Sequence, residues 1–208
     1  ATPRAAAAFP AQITPPRPHH PPPRTEHADW LLDKGLIDVF AEMGVATLTE
    51  RQRERLADER EALLAHTLTE PRSISRLLTQ LRTYLPLVGP SEVDLVDFLV
   101  LTFLRVTYPR LYRSLASHQA LLASTIELES DFLQSMADSA LLSAYGVPTQ
   151  EIARTQAALQ RLFPVIARDS ATLHVLESES RRRDRRASDP DHVARYFALS
   201  PPSSPLSS

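Results

Sequence analysis

The chain has 208 residues, 43% of them hydrophobic and 23% charged, with four glycines, eighteen prolines and no cysteine. It is long enough for one sizeable domain with tails, and so little glycine argues against a turn-rich β-sandwich or a glycine-built phosphate cradle. A net charge of −2, from 23 basic and 25 acidic side chains, supplies no global field for nucleic acid or an acidic membrane, and the lack of thiols excludes a disulfide framework or thiolate zinc site.

Lys34 is the sole lysine, and every other base is arginine. The chain begins Ala1-Thr2-Pro3-Arg4, with no signal-peptide hydrophobic core, and is read as a piece of a longer protein. Its longest apolar stretch, Phe98 to Leu104, falls well short of the ~20 residues that span a bilayer.

Residues 1–24 hold a cluster of prolines and are expected to be an extended linker or the end of an upstream core; Phe9 to Thr14 fits the tail of a strand whose sheet lies elsewhere. His19-His20 is read as solvated linker rather than a metal site.

A helical domain is expected over 25–199. Leu32, Leu36, Val39, Phe40 and Met43 recur at helical spacing, and Gly44 sits where a left-handed cap belongs. Thr49 and Gln52 form a capping box for a second helix, whose charged first half leaves Leu56, Leu63 and Leu64 as its buried side chains. In the third, Thr69 is the expected cap, Pro71 lies in the first turn, and Ile74, Leu77, Leu78, Leu81 and Leu85 make one apolar stripe. At ~100° per residue, Arg72, Arg76, Thr79 and Thr83 fall on the opposite face.

A fourth helix, from Glu92 to about Val106 with Ser91 as cap, is apolar nearly all round and predicts the central buried element. Pro109 opens a short helix through Leu111, Tyr112 and Leu115, and a longer one is expected from Ile126 to Tyr145, stopped by Gly146 and Pro148. Ile152, Leu159, Leu162, Phe163 and Ile166 define another, kinked or broken at Pro164. Ser188-Asp189-Pro190 caps a last helix with Tyr196 and Phe197, and residues 200–208 read as a disordered tail. The fold class is therefore all-α, an irregular multi-helix bundle between proline-rich and serine/proline-rich ends.

Three segments resemble one known family, the KAP P-loop NTPases, which are STAND-type ATPases that act in phage exclusion or in membrane-associated signalling. They are Pro71-Arg72-Ser73-Ile74-Ser75-Arg76; Glu92 to Phe98 continuing through Leu104-Arg105 to Pro109-x-Leu111-Tyr112; and Leu162-Phe163-Pro164 with Arg185-Arg186 and Arg195-Tyr196-Phe197. The likeness covers about residues 9 to 199 in matching order; Glu70 intervenes between Thr69 and Pro71, and Thr79 stands where asparagine is common.

The resemblance implies the lid and C-terminal helical region of such an ATPase, without its catalytic core. No G-x-x-x-x-G-K-[ST] occurs, so the chain alone is not expected to hydrolyse ATP; ATP and Mg²⁺ belong to the whole protein. Implied partners are the upstream P-loop core and a protein effector, and the implied location is cytoplasmic, with membrane association through segments outside this chain. By the same resemblance Arg72 is the candidate sensor of the γ-phosphate, with Arg76 as support or alternate. Arginine suits that task because its always-charged planar fork grips phosphate oxygens. The plainer reading of the same residues is a solvated face, or ion pairs with Glu70 or Asp94.

Asp94 and Asp97 read as cap and core-edge groups. Neither the histidines nor any serine context suggests a metal or nucleophile site. Arg181, Arg182, Arg183, Arg185 and Arg186 are candidate contacts to phosphate or an acidic partner, but Glu177, Glu179 and Asp184 interrupt them, and a solvated inter-helix stretch is the simpler expectation. Two rival functions accompany the lid reading: a freestanding helical adaptor for a protein partner, and a nucleic-acid-binding module.

Overall fold

Helix α5 (Leu95–Thr107) forms the centre of the computed structural model, with every residue from Leu95 to Leu104 buried. The structure describes residues 25–45, 48–124, 131–136, 138–167 and 174–198. Around α5 lie α1 (Thr25–Glu42), α2 (Glu50–Glu59), α3 (Ala65–Thr67), α4 (Pro71–Val88), α6 (Pro109–Ser117), α7 (Gln119–Leu122), α8 (Asp131–Met136), α9 (Ser139–Ala144), α10 (Ile152–Leu162), α11 (His174–Arg183) and α12 (Val193–Phe197). No strand occurs among the described residues, and the architecture is an all-α bundle. The expectations placed on 1–24, including the strand tail and His19-His20, and on 200–208 lie outside the described residues.

Helices α2, α4 and α6 pack directly on α5, and α1 lies on α4. The stripe Ile74, Leu77, Leu78, Leu81 and Leu85 is buried as its spacing predicts. Gly35 brings α1 close to α4: a Cβ there would stand 2.2 Å from a methyl of Leu78. Gly44 ends α1 in the left-handed region at φ +71°, with Val45 N–H donating to Phe40 O and Gly44 N–H to Ala41 O, both at 3.0 Å. That is a Schellman closure, and it needs a residue tolerant of positive φ. The Thr49–Gln52 capping box forms in both directions.

Between α2 and α3 the chain makes one π-helical turn, Arg60–Leu64. The wider turn places Leu63 and Leu64, neighbours in sequence, both at 0% exposure. Arg105, near the end of α5, lies with its guanidinium 4.0 Å from the Tyr84 ring centroid and 5.9 Å from that of Tyr112. Its Nε and Nη2 are buried without a hydrogen-bond partner, so the two ring faces are what stabilises this charge.

Three expected boundaries are corrected. Thr69 does not cap α4; the N-cap is Glu70, extended at φ −110° and ψ 136° with no side-chain cap bond. A residue before proline is driven out of the helical region, so the helix starts at Pro71 and Thr69 lies one position too early. Ser91 likewise gives way to Asp94, whose Oδ1 accepts from Val96 N at 3.1 Å and Asp97 N at 2.9 Å. One carboxylate oxygen serving two orphan amides next to α5's positive end outcompetes a hydroxyl in a preceding turn. Of the helix expected over 126–145, residues 126–130 and 137 lie outside the described residues; the described remainder is not one helix, because Asp138 is extended and its Oδ1 accepts from Ala140 N at 2.8 Å, starting α9 afresh. The break at Pro164 falls where expected, after α10.

Candidate functional site

Arg72 and Arg76 project from one face of α4, one turn apart and opposite its buried stripe. Both are exposed, and neither is paired with another described residue, so the expected alternative of ion pairs with Glu70 or Asp94 is not what the structure holds. Thr79 and Thr83 share the face but turn their hydroxyls onto their own helix, donating to Ser75 O and Thr79 O at 2.8 Å. The two guanidiniums are thus the groups this face offers outward.

A second assembly surrounds the start of α5. Asp94 and Asp97 are 2% and 1% exposed. Arg55 from α2 pairs through Nη1 with Asp94 Oδ2 at 3.0 Å and donates through Nη2 to Asp97 Oδ1. Arg186, from the segment after α11, donates through Nε to the other oxygen of Asp97 at 2.7 Å, and Ala187 N joins it at 2.9 Å. Arg186 Nη2 also donates to Arg161 O at 2.9 Å, while Arg161 forms a two-pronged pair with buried Glu59 at 2.6 and 2.8 Å. The network ties α2, α5, α10 and the C-terminal segment together.

Two carboxylates this close do not hold their protons alike. Burial and the charge of Asp97 push Asp94 up, against the pull of Arg55. Burial also acts to raise Asp97, but Arg186 and Arg55 outweigh it and hold its carboxyl below the usual range. Burial disfavours the charge on Arg186, yet Asp97 more than offsets this and keeps the guanidinium protonated. The cluster of two acids and two bases is charge-balanced, with Asp97 as its firmly ionised member.

Tyr196 closes the assembly from α12. Its hydroxyl accepts from Asp94 N at 2.7 Å and donates to Arg185 O at 2.5 Å; burial pushes this phenol well above its ordinary value. Arg185 sits at φ +53°, a left-handed conformation that costs a side-chain-bearing residue of the order of 1–3 kcal/mol. Its carbonyl, taken by both Tyr196 and Asp94 N–H, compensates. Tyr196→Phe should therefore lower stability by about 0.5–1.5 kcal/mol, leaving Asp94 N–H and Arg185 O with only their mutual bond of 3.2 Å. A urea titration with an unchanged midpoint would contradict this role.

The expectation that 181–186 is a solvated stretch is corrected at its two ends. Arg181 is buried, and Arg186 is committed to Asp97; Arg182, Arg183 and Arg185 remain exposed. The reason is electrostatic: Asp97 inside an apolar helix needs a cation, and this run supplies it. Asp97 is likewise deeper than a core-edge group. Sequence reasoning missed Arg55, Glu59 and Arg161. The signal was present, since Arg55, Glu59 and Leu63 recur every fourth residue and so share α2's inward face.

Two clefts adjoin this network. One, of about 660 Å³, lies between the end of α1, α2 and residues 183–185; Gln52, Arg55 and Asp94 line it. The other, of about 290 Å³, is bounded by α2, the end of α10 and the end of α11. Arg72 and Arg76 line neither. Among the described residues no helix is long and apolar enough to cross a membrane. Fold and site together define an all-α helical domain clamped by a buried charge network, with a separate arginine face on α4. No family model, curated protein or solved structure matches the chain.

Proposed function

We propose that this chain is the helical lid and C-terminal region of a KAP-type P-loop ATPase switch, with Arg72 as its reader of the nucleotide's terminal phosphate and Arg76 beside it. ATP and Mg²⁺ are held by the P-loop core of the same polypeptide, in the cytoplasm, and the output passes to a protein effector, in phage defence or signalling. The observation that carries the reading is convergence. Two of the three segments that resemble the family meet in one place: Asp97 binds Arg186, Tyr196 binds Asp94 N and Arg185 O, and Tyr112 donates to Tyr196 O at 3.2 Å. Phe163 stacks on Phe197 at 6.5 Å. Residues chosen only by resemblance thus act as one structural unit.

The mechanism follows from the α4 geometry. A guanidinium with no internal partner is free to engage a phosphate on a neighbouring domain through a two-pronged contact. Loss of the γ-phosphate removes the attraction and releases the lid, while the internal clamp makes the whole region move as a body. In the full-length protein, Arg72→Ala should lower ATP turnover or abolish the nucleotide-dependent rearrangement, by at least tenfold if one charge-assisted fork of ~1.5–3 kcal/mol is lost. Wild-type turnover together with wild-type rearrangement in that variant would reject the assignment.

A freestanding adaptor is the second reading, favoured by the outward apolar side chains of α1, Trp30 at 54% and Ile37 at 68% exposure, two turns apart on one side. A complete gene encoding no phosphate-binding loop would select it.

A further inference from the structure

Three helices close with the same pair of backbone bonds, and one of them does so on an unexpected residue. At the ends of α1 and α9 the left-handed position is glycine, Gly44 at φ +71° and Gly146 at φ +90°. Gly146 N–H donates to Ser143 O at 2.9 Å and Val147 N–H to Leu142 O at 3.1 Å; in α11, Arg185 N–H donates to Arg182 O at 3.1 Å and Arg186 N–H to Arg181 O at 2.9 Å. The left-handed residue of α11 is Arg185, at φ +53°. Glycine would adopt that conformation without the clash of a Cβ, and its carbonyl would serve Tyr196 and Asp94 N–H equally well. What arginine adds is a side chain. The helix dipole does not call for it, since Arg181, Arg182 and Arg183 already place three cations in the last turn.

That side chain lines the larger cleft, of about 660 Å³, together with Arg183. Both arginines are exposed, and neither guanidinium has a partner among the described residues. The other charged residues of the lining are matched: Arg51 holds Asp184 at 2.8 Å, and Arg55 holds Asp94 at 3.0 Å. Behind them Asp97 is shared by Arg55 and Arg186, and Glu92 beside the lining pairs with Arg195. The positive surplus is therefore Arg183 and Arg185 themselves. Met43, Val45 and Pro90, each partly exposed, give the same cleft an apolar part.

We infer that this cleft docks an acidic peptide segment of a partner protein, with carboxylates on Arg183 and Arg185 and a neighbouring apolar side chain on Met43, Val45 and Pro90. A guanidinium meets a carboxylate fork to fork, and the partner supplies the anions that the chain does not. Residues 1–24 and 200–208 hold no aspartate or glutamate, so neither stretch is the occupant. Nucleic acid is the poorer fit: two surplus charges neutralise few phosphates, and no lining residue offers a ring to a base. The cleft is separate from Arg72 and Arg76, and its occupant does not rest on the ATPase reading.

The test is fluorescence anisotropy of the whole chain with a panel of labelled dodecapeptides, each carrying two adjacent glutamates beside one leucine, isoleucine or phenylalanine. A thymidine oligonucleotide is the counter-probe. Saturable binding that weakens as salt rises is expected for at least one peptide, with a loss of roughly tenfold or more when glutamine replaces its glutamates. Arg183→Gln and Arg185→Gly should each weaken binding roughly tenfold, while Arg110→Gln, an exposed change on α6 outside the cleft, should bind as wild type. Arg185→Gly should also melt no lower than the wild type, because the left-handed position is relieved as the side chain is lost. Weaker binding without a lower melting temperature separates a docking residue from a structural one. No saturable binding across the panel, binding unchanged in both variants, a clearly lower melting temperature in Arg185→Gly, or tighter binding of the oligonucleotide would each overturn the inference.

Discussion

Asp97→Asn is expected to destabilise the protein by about 3–5 kcal/mol, because it strips the shared counter-charge from two inward-facing guanidiniums. The amide keeps the shape of the carboxylate and its volume, so the loss is electrostatic. Arg186 and Arg55 lose the anion that each contacts directly, and an amide turns a donor toward one of them. For a domain of this size each kcal/mol shifts the midpoint by ~2–4 °C, so a fall of roughly 10 °C is the expected reading of a calorimetric scan.

Asp94→Asn should cost less, since its remaining oxygen still caps α5. The double variant Asp97→Asn/Arg186→Gln should cost less than the sum of its parts, which a double-mutant cycle detects. Strict additivity would deny the pairing.

The same carboxylate fixes a pH dependence. Asp97 is held below its unfolded value, so its contribution is fully present above ~4 and fades as pH falls through the folded value. Asp94 is raised and runs the other way: folding favours its protonated form, so acidification from neutrality toward ~4 does not draw stability from it. The pair therefore predicts retained stability down to about the ordinary aspartate range and loss below it. Asp97→Asn should flatten that acid limb.

Much of the bundle was legible from periodicity. The α4 stripe, the apolar circumference of α5, the glycine stop after α1 and the Thr49 capping box all depend on residues within one or two turns, and the structure follows them. What failed was competition among local caps. Thr69, Ser91 and the supposed continuity through Asp138 were each settled by a neighbour with a stronger claim on the same amides or the same backbone region. At the site, the outward direction of Arg72 and Arg76 followed from the stripe behind them.

The clamp did not follow, because its contacts join residues far apart in the chain. Arg55 meets Asp97, 42 positions away, and Arg186 meets it across 89. Hydrophobic patterning discards charged residues as surface, and that habit hid Arg55 and Glu59 on a face whose next member is the fully buried Leu63. An acid inside an otherwise apolar helix is the readable warning that a distant base must come to meet it.

Phe103→Ala should be the other severe substitution, at about 3–5 kcal/mol. Phe103 is at 0% exposure in α5, and its ring meets that of Tyr108, the residue joining α5 to α6, edge-on at 6.0 Å and 89°. Tyr108 itself is fixed at its far end, where its hydroxyl donates to Glu151, and burial with that acceptor pushes the phenol well above its ordinary value. Tyr108 therefore cannot collapse into the vacated space without giving up a charged acceptor, and the cavity should persist rather than refill. Two comparisons separate this account from general fragility. Phe103→Leu keeps most of the volume and should cost under ~1.5 kcal/mol. Benzene, which enters apolar cavities that water leaves dry, should raise the midpoint of Phe103→Ala and leave the wild type unchanged. A fully recovered stability in Phe103→Ala without benzene would mean that the joint between α5 and α6 is plastic, and the Tyr108–Glu151 bond could not then be the anchor that holds it.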